Sequence, residues 1–461
     1  MSHHFFAPRA LLPDGWANHV LMEVEDGVFT RLQPDTHLSH IVDTHFDQPV
    51  TVLSGPVLPT VANLHSHAFQ RLMAGMAEVA IQPQDSFWSW REAMYRLVAN
   101  VSDGDLEVIA SWLYIELLKG GYSQVAEFHY LHHPSLGPSR ESGTRMGECL
   151  IKAADQIGIG LTLLPALYQY GGFAEQPPSR EQQRFIQSTS EYLVQYQQYQ
   201  LQLQGHLLHR LGICFHSLRA VSLDAIDQVL TQLHSNQPIH IHIAEQQKEV
   251  DDCLNWCGKR PVELLLERFP INSCWSLIHA THLTSQEVSD LACSGAVVGV
   301  CPTTEANLGD GIFPATEFEQ AGGLWGVGSD SHVSTSLQEE LRWFEYGQRL
   351  QQQKRNRLWS LAEPRVGDHL LQRALAGGNR ACGVQLGLSV GSRADFMVWD
   401  ERQPFVRCSR SEDLLNRWLF AMNDSPIRDV YVAGKCRIQD GRHQLEEEIK
   451  LQFGELVGRF F

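Results

Sequence analysis

Close histidine pairs and one aspartate stand at the ends of apolar runs far apart in the chain. They are His65 and His67 in NLHSH, His240 and His242 in PIHIHIAEQ, His279 and His282 in LIHATHL, and Asp330 in GLWGVGSDSH. Residues i and i+2 of an extended segment face the same side, so both imidazoles of His65 and His67 can reach one ion. One histidine at a strand end is an ordinary packing residue, and H-x-H recurs by chance in a chain with 22 His. The recurrence of such groups, each ending an apolar run, points instead to a shared metal site. Neutral imidazoles with one carboxylate suit zinc, with iron(II) or manganese as alternatives. An ion so held can activate water at neutral pH, which is hydrolytic chemistry.

The runs that carry these residues alternate with helix-like stretches. PVLPTVANLHSH, YSQVAEFHY, IGLTLLPALY, LGICFHSL, PIHIHIAEQ, CWSLIHATHL, AVVGVCP and GLWGVGSDSH read as strands, and DLEVIASWLYIELLKGG and DAIDQVLTQLHSN as intervening helices. Repeated β-then-α order predicts a parallel sheet with helical crossovers, and the strand count favours a closed (β/α)8 TIM-type barrel in the α/β class. Chemistry in such a barrel sits at the C-terminal strand ends. Both ends of the chain read differently. WANHVLMEVEDGVFTRL carries an Asp26-Gly27 hairpin signal, and GSRADFMVWD and DVYVAGKCRIQDGR alternate in the same way. Neither end can close a packed sheet alone, so the expected organisation is one small β-sandwich from residues 1–57 and 389–461 around a barrel at 58–388. The Gln- and Tyr-rich stretch 182–204 has apolar residues at helical spacing and is expected to be an amphipathic helix.

The order H-x-H, His-x-x-Glu, His, Ser-Asp resembles the amidohydrolase superfamily in its branch of mononuclear deaminases, and the terminal GSRADFMVWD and VYVAGK fit that branch. The resemblance implies metal ligands His65, His67, His242 and Asp330, with one zinc ion. Binuclear members need a lysine near the fourth strand, and IGLTLLPALY offers none. His279, or Asp330, would accept the proton of the attacking water, and Glu245 would carry a proton to the departing nitrogen. His240 shares strand parity with His242, but Glu245 follows His242 at the family's interval. His282 and His332 are expected to support or pack, and His132, His133, His206 and His209 to lie in loops.

Within the superfamily, ANLHSHAFQR, SFWSWRE, AEFHYLHH and FHSLRAVS resemble the enzymes that convert N-formimino-L-glutamate to N-formyl-L-glutamate and ammonia in histidine breakdown. That likeness implies Arg91 and Arg219 as carboxylate clamps, with hydrogen bonds from Gln70, Tyr130, His216 and His279. Bidentate guanidinium suits a substrate bearing two carboxylates. Arg71, beside Gln70, points elsewhere and receives no role. A homodimer is also implied. The rival enzyme reading is a deaminase of a heteroaromatic amine such as guanine or cytosine, against which two arginines in the pocket argue. A non-catalytic scaffold would be expected to have lost a ligand or the Glu, and a phosphoesterase or lactonase would release no ammonia.

Bulk properties set the frame. A chain of 461 residues with 43% hydrophobic and 19% charged residues is globular. Its net charge of −17, with no basic stripe, argues against nucleic acid, so an anionic substrate needs specific cations at its site. No apolar run reaches membrane-spanning length. The N-terminal MSHHFF lacks a signal peptide's charged start, and the ten scattered cysteines read as buried thiols of a reducing compartment; the expected location is the cytoplasm.

Overall fold

The computed structural model describes residues 2–36, 50–79, 87–133, 143–233 and 236–461. Ser86 of the SFWSWRE motif lies outside them. The strands in chain order are β1 (Ser2–Leu12), β2 (Gly15–Glu25), β3 (Val28–Gln33), β4 (Val50–Val52), β5 (Val57–Pro59), β6 (Val61–Ser66), β7 (Tyr122–His129), β8 (Gly160–Leu167), β9 (His209–Leu211), β10 (Ile213–Ser217), β11 (Ile239–Ile243), β12 (Trp275–His279), β13 (Val297–Val300), β14 (Leu324–Val327), β15 (Phe396–Trp399), β16 (Ile427–Val432), β17 (Lys435–Gln439) and β18 (Arg442–His443).

Strands β6, β7, β8, β10, β11, β12, β13 and β14 form one parallel sheet, with β9 added beside β8. A parallel bridge between Ser66 and Asp330 brings the last strand's end back to the first. This is the (β/α)8 barrel. Most of its strands, β7 and β8 among them, are buried along their whole length, because helices cover the outside and side chains fill the inside. Capping fixes where helices start. Ser102 and Asp105 exchange side chain-to-backbone bonds before Asp103–Lys119, as do Thr284 and Glu287 before Ser285–Ser294. The helix expected over 182–204 begins only at Thr189, because Ser188 and Glu191 form the same reciprocal cap; Glu181–Arg184 is a separate 3-10 turn.

Helix Val366–Cys382 packs against β14, β6, β13 and β7. Its last carbonyls have no intrahelical donors, and residues of the barrel strands supply them: Thr162 Oγ1 donates to Cys382 O (2.8 Å) and His240 Nε2 to Ala381 O (2.7 Å). His240 is therefore spent on a helix terminus. Close approach requires glycine here, since a Cβ at Gly377 would lie 2.0 Å from Trp325 O.

Strands from both ends of the chain form the second sheet, in the order β18-β17-β16-β15-β5-β1-β2-β3, with β4 beside β1. β5 straddles the expected boundary between residues 57 and 58 and pairs with both β1 and β15. In a flat sheet β3 and β15 would be separated by about 19 Å, at about 4.8 Å per strand. The rings of Phe29 and Phe396 are nevertheless 6.2 Å apart, so this single sheet folds over on itself around its own apolar cluster. Arg393, bonded to Asp395 at 2.6 Å, also reaches Ser123 O and Gln124 Oε1 of β7 and so ties the sheet to the barrel. The C-terminal helix Glu446–Phe460 packs on Asp103–Lys119, with Lys119 bonded to Glu446.

Among the described residues no helix is long and apolar enough to cross a membrane. All ten cysteines are free, and Cys257, Cys293, Cys408 and Cys436 are exposed rather than buried, so the expectation of buried thiols holds for only part of the set.

Candidate active site

The C-terminal ends of the barrel strands converge on one buried point. His65 and His67 come from β6 and the residue after it, His242 from β11, and Asp330 from the turn beyond β14. His65 Nε2 lies 3.0 Å from His242 Nε2 and 3.4 Å from Asp330 Oδ1, which is 3.3 Å from His67 Nε2. Tetrahedral zinc with bonds of about 2.0–2.1 Å sets its ligand atoms roughly 3.3–3.4 Å apart, so the spacing fits one small cation. The ring tautomers fit as well. His67 Nδ1 donates to Phe128 O (2.8 Å) and His242 Nδ1 to His216 O (2.9 Å), which leaves each Nε2 lone pair facing inward. Burial keeps these imidazoles neutral: His65 is pushed down to about 3, and His67 and His242 are lowered for the same reason. Burial alone would raise Asp330, but its contact with His65 and the charge of His279 hold it well below the usual carboxylate range.

Backbone geometry aims these groups. His279 and Asp330 have φ of +69° and +46°, a left-handed conformation costly for side chains larger than glycine. Hydrogen bonds from Asp330 N to His65 O and from His67 N to Asp330 O hold the Asp330 turn. Asn63 braces it, donating to Ser329 Oγ and accepting from Ser329 N. His332, in its own left-handed turn, bridges Ser66 and Ser329 and so supports rather than lines the site.

His279 Nδ1 bonds Glu305 Oε1 (3.2 Å), which turns Nε2 toward Glu245 Oε1 (3.7 Å) and Asp330 Oδ2 (3.8 Å). Burial would lower this imidazole, but Glu245, Glu305 and Asp330 together raise it to about 10. Burial pushes Glu245 up to about 7, against the pull of His279 and Arg219.

His67, Gln70, Arg91, Tyr130, His216, Arg219, His242, Glu245, His279 and Asp330 all line one cavity, and His65 lies against His242. Gln70 Nε2 donates to Tyr130 Oη (3.1 Å), while its Oε1 is buried without a partner. A register shift in β10 between Phe215 and Ser217 brackets His216, a bulge that can re-aim a side chain at a site edge. Arg71 instead clamps Glu116 and His332 O. Trp90, Met94, Tyr95, Tyr168, Phe185 and Leu308 complete the lining and were not singled out from sequence. Tyr168, directly after the strand run LTLLPAL, carried the signal that could have found it. Glu305 carried none.

His209 opens β9 rather than lying in a loop, as its ring accepts from Leu161 N. Together with His206 and Asp155 it is spaced for a metal. However, Nδ1 of both rings accepts backbone N–H groups, so each Nε2 carries its proton toward Asp155 and is no ligand.

The amidohydrolase family model matches residues 57–437. The chain belongs to the amidohydrolase family. Members of this family depend on metal, and the converging His and Asp groups of this amidohydrolase are suited to hold one. A model described as the N-terminal domain of formimidoylglutamate deiminase HutF matches residues 2–39. A formimidoylglutamate deiminase of Pseudomonas aeruginosa is 51% identical over 98% of each chain. The crystal structure of an amidohydrolase from Brucella melitensis aligns over 99% of both chains at TM-score 0.92 and 40% identity. An adenosine deaminase from Xanthomonas campestris with bound zinc shares the fold at TM-score 0.82 and 18% identity, over 99% of this chain and 98% of that one.

Proposed function

We infer that this amidohydrolase hydrolyses N-formimino-L-glutamate to N-formyl-L-glutamate and ammonia, a step of histidine degradation. The observation that carries the reading is one cavity holding both the metal-competent cluster and two arginines, Arg91 and Arg219. The near full-length likeness to a formimidoylglutamate deiminase supports it. The substrate carries two carboxylates on its glutamate half and an amidine-like carbon on the amino nitrogen. Guanidinium groups match the first, and the cluster of histidines matches the second.

His65, His67, His242 and Asp330 would hold one divalent ion, zinc in first place. Such an ion supplies a water activated for attack at neutral pH. Arg91 and Arg219 bind the glutamate carboxylates, while Gln70, Tyr130 and His216 orient the chain between them. His279, or Asp330 beside it, accepts the proton of the attacking water. Three carboxylates raise His279, and the charge of an ion beside Asp330 would oppose that pull and leave the imidazole neutral to accept the proton. Glu245 delivers a proton to the departing nitrogen. One C–O bond forms, one C–N bond breaks, and the formimino carbon leaves as a formyl amide. Tyr95, Tyr168 and Phe185 form an aromatic wall beside the two arginines.

The substrate is accordingly a small anionic amino-acid derivative, and the cytoplasm is the compartment that fits a catabolic enzyme with unpaired thiols. An ammonia-release assay on N-formimino-L-glutamate beside guanine and cytosine tests the reading. Turnover of the first alone is expected. Turnover of a ring amine without the formimino compound would replace it with the heteroaromatic reading.

A further inference from the structure

Glu249 is a fully buried carboxylate that the chemistry above does not use. It lies in the first turn of helix Gln247–Cys257, just beyond β11, which carries His242. Its Oε2 accepts the backbone N–H of Glu245 (3.3 Å) and lies 3.8 Å from Arg219 Nε. Along the same Nε–Nη2 edge of the guanidinium, Arg219 Nη2 stands 3.9 Å from Glu245 Oε2. Arg219 and Glu245 line the cavity, whereas Glu249 does not.

A buried carboxylate is costly unless paired and hydrogen-bonded. Here the pairing is loose: Glu249 Oε1 and Arg219 Nε are both buried with no hydrogen-bond partner. A carboxylate meant only to neutralise Arg219 would close to a bidentate contact. At its observed distance it neutralises the guanidinium without a hydrogen bond to Nε. The same oxygen fixes the backbone at Glu245, directly after Ala244, whose φ of +49° turns the chain toward the site.

We propose that Glu249 is a positioning residue that holds Arg219 and Glu245 in fixed relation, setting the span between the carboxylate-binding end and the proton-delivering end of the site. Without its charge, the nearest carboxylate to Arg219 is Glu245 itself. The guanidinium then pairs with the proton carrier and leaves the register of the substrate's carboxylate. The proposal rests on the deiminase reading above.

The test compares Glu249→Gln and Glu249→Ala in the metal-loaded full chain. Gln still accepts the Glu245 N–H, as this position near a helix start allows, but it lacks the charge. Glu249→Gln is expected to raise KM for N-formimino-L-glutamate roughly 10-fold or more, the scale of one charge-assisted contact, with a smaller fall in kcat and unchanged metal content. KM for formamidine, which has no carboxylate, should stay at its wild-type value. Glu249→Ala should lower kcat further, because Glu245 loses its backbone anchor. An unchanged KM in Glu249→Gln, an equal rise for formamidine, or loss of metal would overturn the proposal. An inert wild-type protein would instead sink the deiminase reading. Calorimetric binding of glutarate to wild type and Glu249→Gln then decides the role of Glu249: about a 10-fold weaker Kd supports it, and equal Kd values refute it.

Discussion

Glu245→Gln isolates proton delivery from metal binding. Glu245 faces His279 at 3.7 Å and Arg219 at 3.9 Å and is not one of the groups converging on the proposed ion. Gln keeps its size and fills the same buried space, and Arg219 retains Glu249 at 3.8 Å as a counter-charge. What is lost is the exchangeable proton. General acid–base groups contribute roughly 10²–10⁴-fold to rate, which corresponds to about 2.7–5.4 kcal/mol of barrier. The expected outcome is a kcat reduced by that factor, a KM changed far less, and metal content equal to wild type. Coupled ammonia release gives the constants, and elemental analysis gives the metal. A kcat within about threefold of wild type would remove Glu245 from the proton path, since that is well below the general acid–base range. A parallel loss of metal would show that it acts through the ion instead.

Chelation should abolish turnover and added zinc should restore it; full activity of demetallated protein would refute any role for the ion. Arg219→Met should lower kcat/KM by roughly 10–150-fold, the scale of a lost charge-assisted hydrogen bond of about 1.5–3 kcal/mol, measured by steady-state kinetics on the dicarboxylate substrate. Equal constants would rule out the clamp. Gly377→Ala should destabilise the fold by about 1–3 kcal/mol or more, because its Cβ would meet the Trp325 carbonyl rather than a movable side chain. An unchanged Tm would mean that helix Val366–Cys382 does not seat where the structure places it.

Much of this architecture was legible in the chain because it rests on local patterns. Each barrel strand was an apolar run, and at several of them a polar residue at the end broke that run where the barrel opens to its site. The His65 and His67 pair followed from period-2 alternation alone. What stayed hidden depends on contacts between distant segments. His240 has the same parity as His242, yet it bonds a helix end contributed some 140 residues later. The bend that brings Phe29 onto Phe396 leaves no trace in either strand's pattern. Glu249 and Glu305 carry no signal in the chain, because helical spacing does not reveal that the face they occupy is the inner one.

The most direct test of the whole account is anomalous diffraction at the zinc edge from crystals of the zinc-loaded protein. One peak per chain is expected, bonded to Nε2 of His65, His67 and His242 and to a carboxylate oxygen of Asp330. A peak elsewhere, or two peaks sharing the cavity, would contradict it.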